Sequence, residues 1–335
     1  MFPVIVGQIG LLLVVWFALQ ISAAVCVYCE RKWAAYLQQR VGPTRVGYAG
    51  LLQPLADIVK LMFKENLRPK GADPFLFYLA PVISATACFA AFAVVPFGGE
   101  TTLFGLLDAP MRLQVADVNV AVLVVFAIAS MGIYGIVLAG WSSNSKYSLL
   151  GGLRASAQMI SYELSYALSL VGVIILANSM SLADIVEKQS HVWYIVLQPL
   201  GFLIYLTAGI AETNRAPFDF PEAEQELVAG YHTEYSSMPF ALFFLAEYVN
   251  MVTVSAVATS LFLGGWLLPG INTGGWGWMV FLAKVFVLLF LYIWIRWTLP
   301  RYRYDQLMAF GWKFLLPAAV INLLVTAAAV LYLGV

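Results

Sequence analysis

Charge is what this chain has least of. Asp, Glu, Lys and Arg make up only 11% of its 335 residues, against 62% hydrophobic residues and a mean hydropathy of +0.85. A soluble globular domain carries roughly 25% charged residues, so that class is excluded. Histidine is as scarce. His191 and His232 are the two present, and both fall in connecting segments, which leaves no His pair for a haem inside a membrane. Cysteine is limited to Cys26, Cys29 and Cys88. The first two have CxxC spacing, but no second Cys pair or nearby His accompanies them, and packing is the better reading. Walker A, GxGxxG, HExxH and GxSxG motifs are missing, and so is an Asp-rich cluster of prenyl-diphosphate type. The sequence thus shows no machinery of its own for hydrolysis or for carrying electrons. It also lacks internal repeats and low-complexity segments.

What is abundant is apolar runs of spanning length, about 20 residues each. Eight are read, at 4–29, 75–97, 117–141, 155–178, 194–212, 238–264, 278–297 and 311–333. The expectation is an all-α polytopic membrane protein, a single membrane domain over 1–335, with no room for a soluble cofactor-binding domain. The first run has no basic residue before Arg31 and exceeds a signal-peptide core, so it is expected to be a retained helix. Asp117, at the start of the third run, suits a helix N-terminus and is read as its cap. Lys and Arg are unevenly spread: the odd-numbered loops hold 15 and the even-numbered loops hold Arg112 and Lys188. The odd loops are therefore expected to be cytoplasmic, with both termini on the other side.

Two connections are longer than the rest. In the first, residues 51–64 (LLQPLADIVKLMFK) put Leu51, Leu55, Ile58 or Val59, and Met62 on one helical face and Gln53, Asp57, Lys60 and Lys64 on the other. Pro54 fits a first helical turn. This predicts an amphipathic helix in the interface plane or against the bundle: a surface anchor, or the wall of a lateral opening for a lipid-soluble ligand. Before it, Arg31 and Arg40 lie in ERKWAAYLQQRVGPTRVG (30–47), where Glu30 is an acid that topology does not explain. The second long connection, 213–237, carries much of the chain's acid. From Glu212 to Tyr235 lie six of the 18 acidic residues (Glu212, Asp219, Glu222, Glu224, Glu226, Glu234), with Arg215 as the one Lys or Arg among them. Interleaved Phe218, Phe220, Tyr231, Pro217 and Pro221 argue against a merely solvated loop, which is usually poor in aromatics.

Three ionisable residues fall well inside predicted spans: Glu163, Glu247 and Lys284. Each costs about 2.5–3.5 kcal/mol near a helix centre on insertion scales, so each invites a functional reading. Glu163 has Tyr162, Tyr166 and a row of Ser161, Ser165 and Ser169 beside it, a seam able to hydrogen-bond a carboxyl or hold water. Glu247 has Asn250 three residues on. Polar glue between helices is the plainer alternative to a proton or electrostatic path.

Five stretches in order carry a resemblance: ERKWAAYLQQRVGPTRVG (30–47), LADIVKLMFKE (55–65), SNSKYSLLGGLRASAQMISYELSYALSL (143–170), AETNRAPFDFPEAEQELVAGYHTEYSSMPFALFFLAEY (211–248) and RYDQLMAFGWKFLLP (303–317). Together they resemble the H-type membrane subunits of bacterial NADH:quinone oxidoreductase, respiratory complex I. The resemblance implies an eight-helix protein of the inner membrane that docks the peripheral arm and builds much of the quinone chamber. The mouth would be framed by residues near 20–40, 51–64 and 238–250, which include Arg31, Arg40 and Asp57. It further implies that Asp219, Glu222, Glu224 and Glu226 couple quinone chemistry to the membrane arm. Glu212, Arg215, Glu163 and Glu247 would form a line of buried charges, with Tyr166 and Lys284 on the same intramembrane path. Quinone would be the substrate, and NADH, FMN and iron–sulfur clusters would sit on partner subunits. Some family members carry a further carboxylate in the third span; IASMGIYG at 128–135 has none, and that step is not carried over. A stand-alone secondary transporter is the alternative from another class. It would show two matching halves with broken helices, and neither is read. A purely structural anchor leaves Glu163, Glu247 and Lys284 without a role.

Overall fold

The computed structural model describes residues 2–101, 111–219, 228–271 and 274–333. The described residues are mostly helical, and seven helices are long and apolar enough to cross a membrane. In chain order the helices begin with α1 (Phe2–Leu37), α2 (Gln53–Phe63) and α3 (Pro74–Phe92). A short antiparallel hairpin, β1 (Gly98–Thr101) with β2 (Met111–Leu113), precedes α4 (Ala121–Ser142) and α5 (Lys146–Ala177). Then come α6 (Leu182–Lys188), α7 (Tyr194–Leu197), α8 (Pro199–Glu212), α9 (Ser237–Phe262) and α10 (Gly277–Thr298). The last span is α11 (Tyr304–Phe310), a π-helical turn at Gly311–Leu315, and α12 (Leu316–Leu333).

The run expected at 194–212 is broken. Pro199 has no N–H to continue the helix, and the chain leaves helical geometry at Gln198. The 14 residues of α8 span roughly 21 Å at 1.5 Å per residue, short of the ~30 Å hydrocarbon core. The buried Gln198 side chain makes the break tolerable: its Nε2 donates to Thr326 Oγ1 at 2.5 Å and its Oε1 accepts from Asn322 Nδ2 at 2.9 Å, both on α12. Two other expectations shift. The hairpin was not foreseen, and Asp117 does not cap α4. Val120 occupies that position, and Asp117 instead faces Arg112 of the hairpin at 3.6 Å.

Small residues let the central helices close. A Cβ at Gly135 of α4 would lie 2.1 Å from Ser84 Oγ of α3, and one at Gly151 of α5 would lie 2.6 Å from the Gly230 backbone. Most of α9 is buried within the chain, whereas α12 leaves much of its surface free. The apolar residues of α2, including Leu55, Ile58, Met62 and Phe63, are exposed. Ser237 Oγ ties α2 to α9 by donating to the Leu61 carbonyl at 2.9 Å.

Candidate functional site

The chain reverses sharply after α8. Thr213 caps the helix, Asn214 takes a left-handed φ of 52°, a conformation Asn tolerates, and Arg215 is turned back into the bundle. Gln158 of α5 fixes this reversal from both sides, its Nε2 donating to the Ala211 and Phe218 carbonyls at 2.8 Å each. Phe218 is buried and stacks on Tyr302, with ring centroids 5.7 Å apart.

Arg215, 4% exposed, sits at the centre of a four-charge cluster. Its Nη1 donates to both oxygens of Glu30 on α1, at 3.3 and 3.1 Å, and its Nε forms an ion pair with Glu247 of α9. Arg296 of α10 donates to Glu30 from the other side. Tyr248 donates its hydroxyl to Glu30 Oε2 at 2.8 Å and lays its ring 4.2 Å from the Arg215 guanidinium carbon. Two carboxylates and two guanidinium groups cancel, which is why the cluster is tolerated at this depth. At an effective dielectric near 20, each contact at 4 Å is worth about 4 kcal/mol before desolvation is subtracted. A change of charge on any member is therefore felt by the other three.

Next to this cluster lies a cavity of about 60 Å³, lined by Ser84, Thr213, Asn214, Glu212, Glu247 and Asn250 among others. That is room for several waters, and the lining is polar enough to hold them. Glu212 is 6% exposed, and its Oε2 has no hydrogen-bond partner among the described residues. A second cavity of about 10 Å³ shares Glu212 and Asn250 with the first and continues to Tyr166 and Thr253. Tyr166 then donates to the Tyr205 hydroxyl at 2.8 Å, which donates to the Val254 carbonyl at 2.9 Å. Glu163 lies close enough to Glu212 for their charges to repel. The Ser130 hydroxyl of α4 donates to it. Of the three serines expected to serve it, Ser161 and Ser169 donate to carbonyls of their own helix, both at 2.6 Å, and the buried Ser165 hydroxyl has no partner among the described residues.

The remaining candidates fall into separate places. Arg31 and Asp57 form an ion pair between α1 and α2, half-exposed, with Gln53 donating to the same carboxylate at 3.0 Å. Arg40 is exposed and donates to Gln38 at 2.7 Å. Asp219 is buried and faces Arg301 at 3.2 Å. Glu222, Glu224 and Glu226 lie outside the described residues. Lys284 is not brought to Glu163 or Glu247. Its ammonium donates to the carbonyls of Leu263, Gly265 and Leu267 at 2.6, 2.9 and 2.7 Å and lies 4.6 Å from the Trp193 ring. Gly264 and Gly265, at φ of 69° and 51°, end α9 and turn those carbonyls toward it.

Near the first cavity, burial lowers the pKa of His232 from 6.5 to about 4, so the ring is neutral at physiological pH. Burial likewise raises the Tyr235 phenol to about 12, against a smaller opposite pull from its hydrogen bond with Ser142. Tyr235 stacks on Phe77 with centroids 4.1 Å apart and donates to the Phe77 carbonyl at 3.0 Å. Among the described residues, no group of three or more His, Cys, Asp or Glu is placed to hold a metal ion.

Sequence reasoning did not place Glu30, Arg296, Tyr248, Gln158 or Ser130 in the site. Glu30 gave a signal, as an acid among topology-setting bases. Arg296 gave none, since its charge alone accounts for it as a helix-end topology residue.

A protein-family model described as NADH dehydrogenase matches residues 9–327. Geobacter metallireducens has two H-type subunits of NADH-quinone oxidoreductase among the relatives. The chain is 54% identical over 324 residues to the one numbered 2, covering 94% of this chain and 92% of the relative. It is 52% identical over 335 residues to the H-type protein numbered 1 of Geobacter sulfurreducens, covering 97% and 95%. With the H-type protein numbered 2 of Koribacter versatilis the identity is 52% over 342 residues, covering 96% of each.

Proposed function

The chain belongs to the NADH dehydrogenase family, in which its similar relatives are H-type subunits of NADH-quinone oxidoreductase, and from that premise we propose how it works. It is a multi-pass membrane subunit of such an oxidoreductase. In our reading it forms one membrane domain that crosses the bilayer eight times, with the broken α7–α8 pair as the eighth crossing and both termini on the non-cytoplasmic side. The exposed apolar residues of α2 lie in the interface plane. The 213–237 segment docks the peripheral arm, and the ends of α1 and α9 with α2 frame the mouth of a quinone chamber.

Quinone reduction takes up two electrons and two protons. The electrons come from an iron–sulfur cluster on a partner subunit, upstream of which NADH and FMN serve; this chain supplies the electrostatics. In this reading Asp219, Glu222, Glu224 and Glu226 couple charge that appears on the quinone to the Glu30–Arg215–Glu247–Arg296 cluster. The cluster passes the imbalance to Glu212, whose free carboxylate oxygen faces the cavities. Water held by Asn250, Thr213 and Ser84 gives a proton a route toward Tyr166 and Glu163. The observation that carries this reading is the balanced four-charge cluster sharing Glu247 with the cavity that Glu212 lines.

The test is a photo-reactive quinone analogue applied to the intact complex. Labelling of residues 20–64 of this chain that includes α2 supports the chamber. Labelling confined to another subunit, or to residues 22–36 and 282–293 of this chain, overturns it.

A further inference from the structure

A second, larger space shares no lining residue with those two cavities. Between α1 and α10 runs a laterally open cleft of about 1030 Å³, lined by Val25, Cys29, Lys32, Leu282 and Phe286 among others. Along α1 it extends from Ser22 to Tyr36, roughly 21 Å at 1.5 Å per residue. One leaflet of a ~30 Å hydrocarbon core is about 15 Å deep, so the cleft is one leaflet plus its headgroup level. Its wall is apolar for most of that length. Apart from Ser22 at the far end, whose hydroxyl donates to the Leu19 carbonyl, its polar groups gather toward the Tyr36 end, where Tyr28, Lys32, Trp33 and Tyr36 form the aromatic and basic rim typical of a membrane interface.

The charges at that rim are unequal. Arg31 is paired with Asp57 and Arg296 with Glu30. Lys32 has no carboxylate partner among the described residues; its ammonium lies 5.8 Å from the Tyr28 ring. An unneutralised cation thus stands at the mouth of an apolar slot one leaflet deep. Among the described residues, none of α2 lines the slot, and Val252 is the one from α9 that does. Glu30 and Arg31, the α1 residues that meet the charge cluster and α2, are not among its lining residues.

We propose that this cleft binds one phospholipid, an acyl chain lying between α1 and α10 and its phosphate at Lys32. The lipid covers the apolar wall of α10 and neutralises Lys32, as Asp57 and Glu30 neutralise the neighbouring arginines.

The test uses phosphatidylglycerol with a photo-reactive group in its acyl chain, added to the intact complex and followed by peptide mapping. Crosslinks are expected in residues 22–36 and 282–293. Ala283→Trp, which fills the cleft from an exposed position, lowers them several-fold, and Lys32→Gln lowers them too. Added short-chain quinone leaves them unchanged. The proposal is overturned if labelling is uniform over all lipid-facing helices and indifferent to Ala283→Trp, or if quinone displaces the lipid. Assembly of each variant complex is checked on a native gel, and the two variants lie on exposed or rim positions. Failure of the quinone-chamber reading would show in the quinone label and leave this result untouched.

Discussion

Arg215 and Lys284 are both cations held inside the bundle, and they are held by opposite means. Arg215 is matched by the side-chain carboxylates of Glu30 and Glu247. Lys284 is matched by three backbone carbonyls at the end of α9, fixed dipoles whose charge never changes. In the proposed function the first arrangement responds to a nearby redox event, whereas the second holds a helix end in place. His232 completes the comparison, since burial there removes the charge altogether. An ionisable residue within a membrane bundle therefore says little until its partners are known.

The largest effect should come from Arg215→Ala. It leaves buried Glu30 with Arg296 and Tyr248 and takes from Glu247 its ion pair with Arg215, a loss on the order of 3–5 kcal/mol. The complex should assemble poorly on native gels and lose most NADH:quinone reductase activity. Wild-type assembly and turnover would erase the distinction between the two cations.

His232 should show itself through pH. Its folded pKa, about 4, lies below the ordinary 6.5, so the unfolded chain binds more protons between those values. Stability is full above pH 6.5 and falls as pH drops toward 4, by about 3 kcal/mol at most. Thermal inactivation followed from pH 7 to 4.5 should be less pH-sensitive in His232→Gln than in the wild type.

Lys284→Met should cost about 1–3 kcal/mol through carbonyls left without a donor. The melting temperature should fall while turnover per assembled complex and its pH profile stay as they were. A changed pH profile would put Lys284 on the proton route after all. The smallest effect should come from Asp57→Asn. Its half-exposed pair with Arg31 is worth about 0–1 kcal/mol, and thermal stability should barely move.

Much of the architecture was legible because spanning helices announce themselves by length and hydropathy. The family could be read from five separate motifs. Other features depend on tertiary partners that no local pattern encodes. The apolar run at 194–212 gives no sign that Gln198 finds Thr326 and Asn322 and so allows a break there. Glu30 and Arg296 stand far apart in the chain, and nothing in either neighbourhood names the other. Lys284 was legible as a buried cation, but its partners are main-chain carbonyls exposed by a glycine turn, which composition cannot show. Ser161 and Ser169 looked like partners for Glu163 because they share its helix. Serines in a helix readily donate to carbonyls one turn back, and Ser130 from the next helix took the role.

The most direct test of the coupling account compares Glu247→Gln with Lys284→Met in the same membranes, reading NADH:quinone turnover, proton translocation and reduction of an artificial acceptor that takes electrons upstream of quinone. The account predicts that Glu247→Gln loses quinone turnover and pumping while the upstream reaction is preserved, and that Lys284→Met keeps all three per assembled complex. Wild-type turnover and pumping in Glu247→Gln would contradict it.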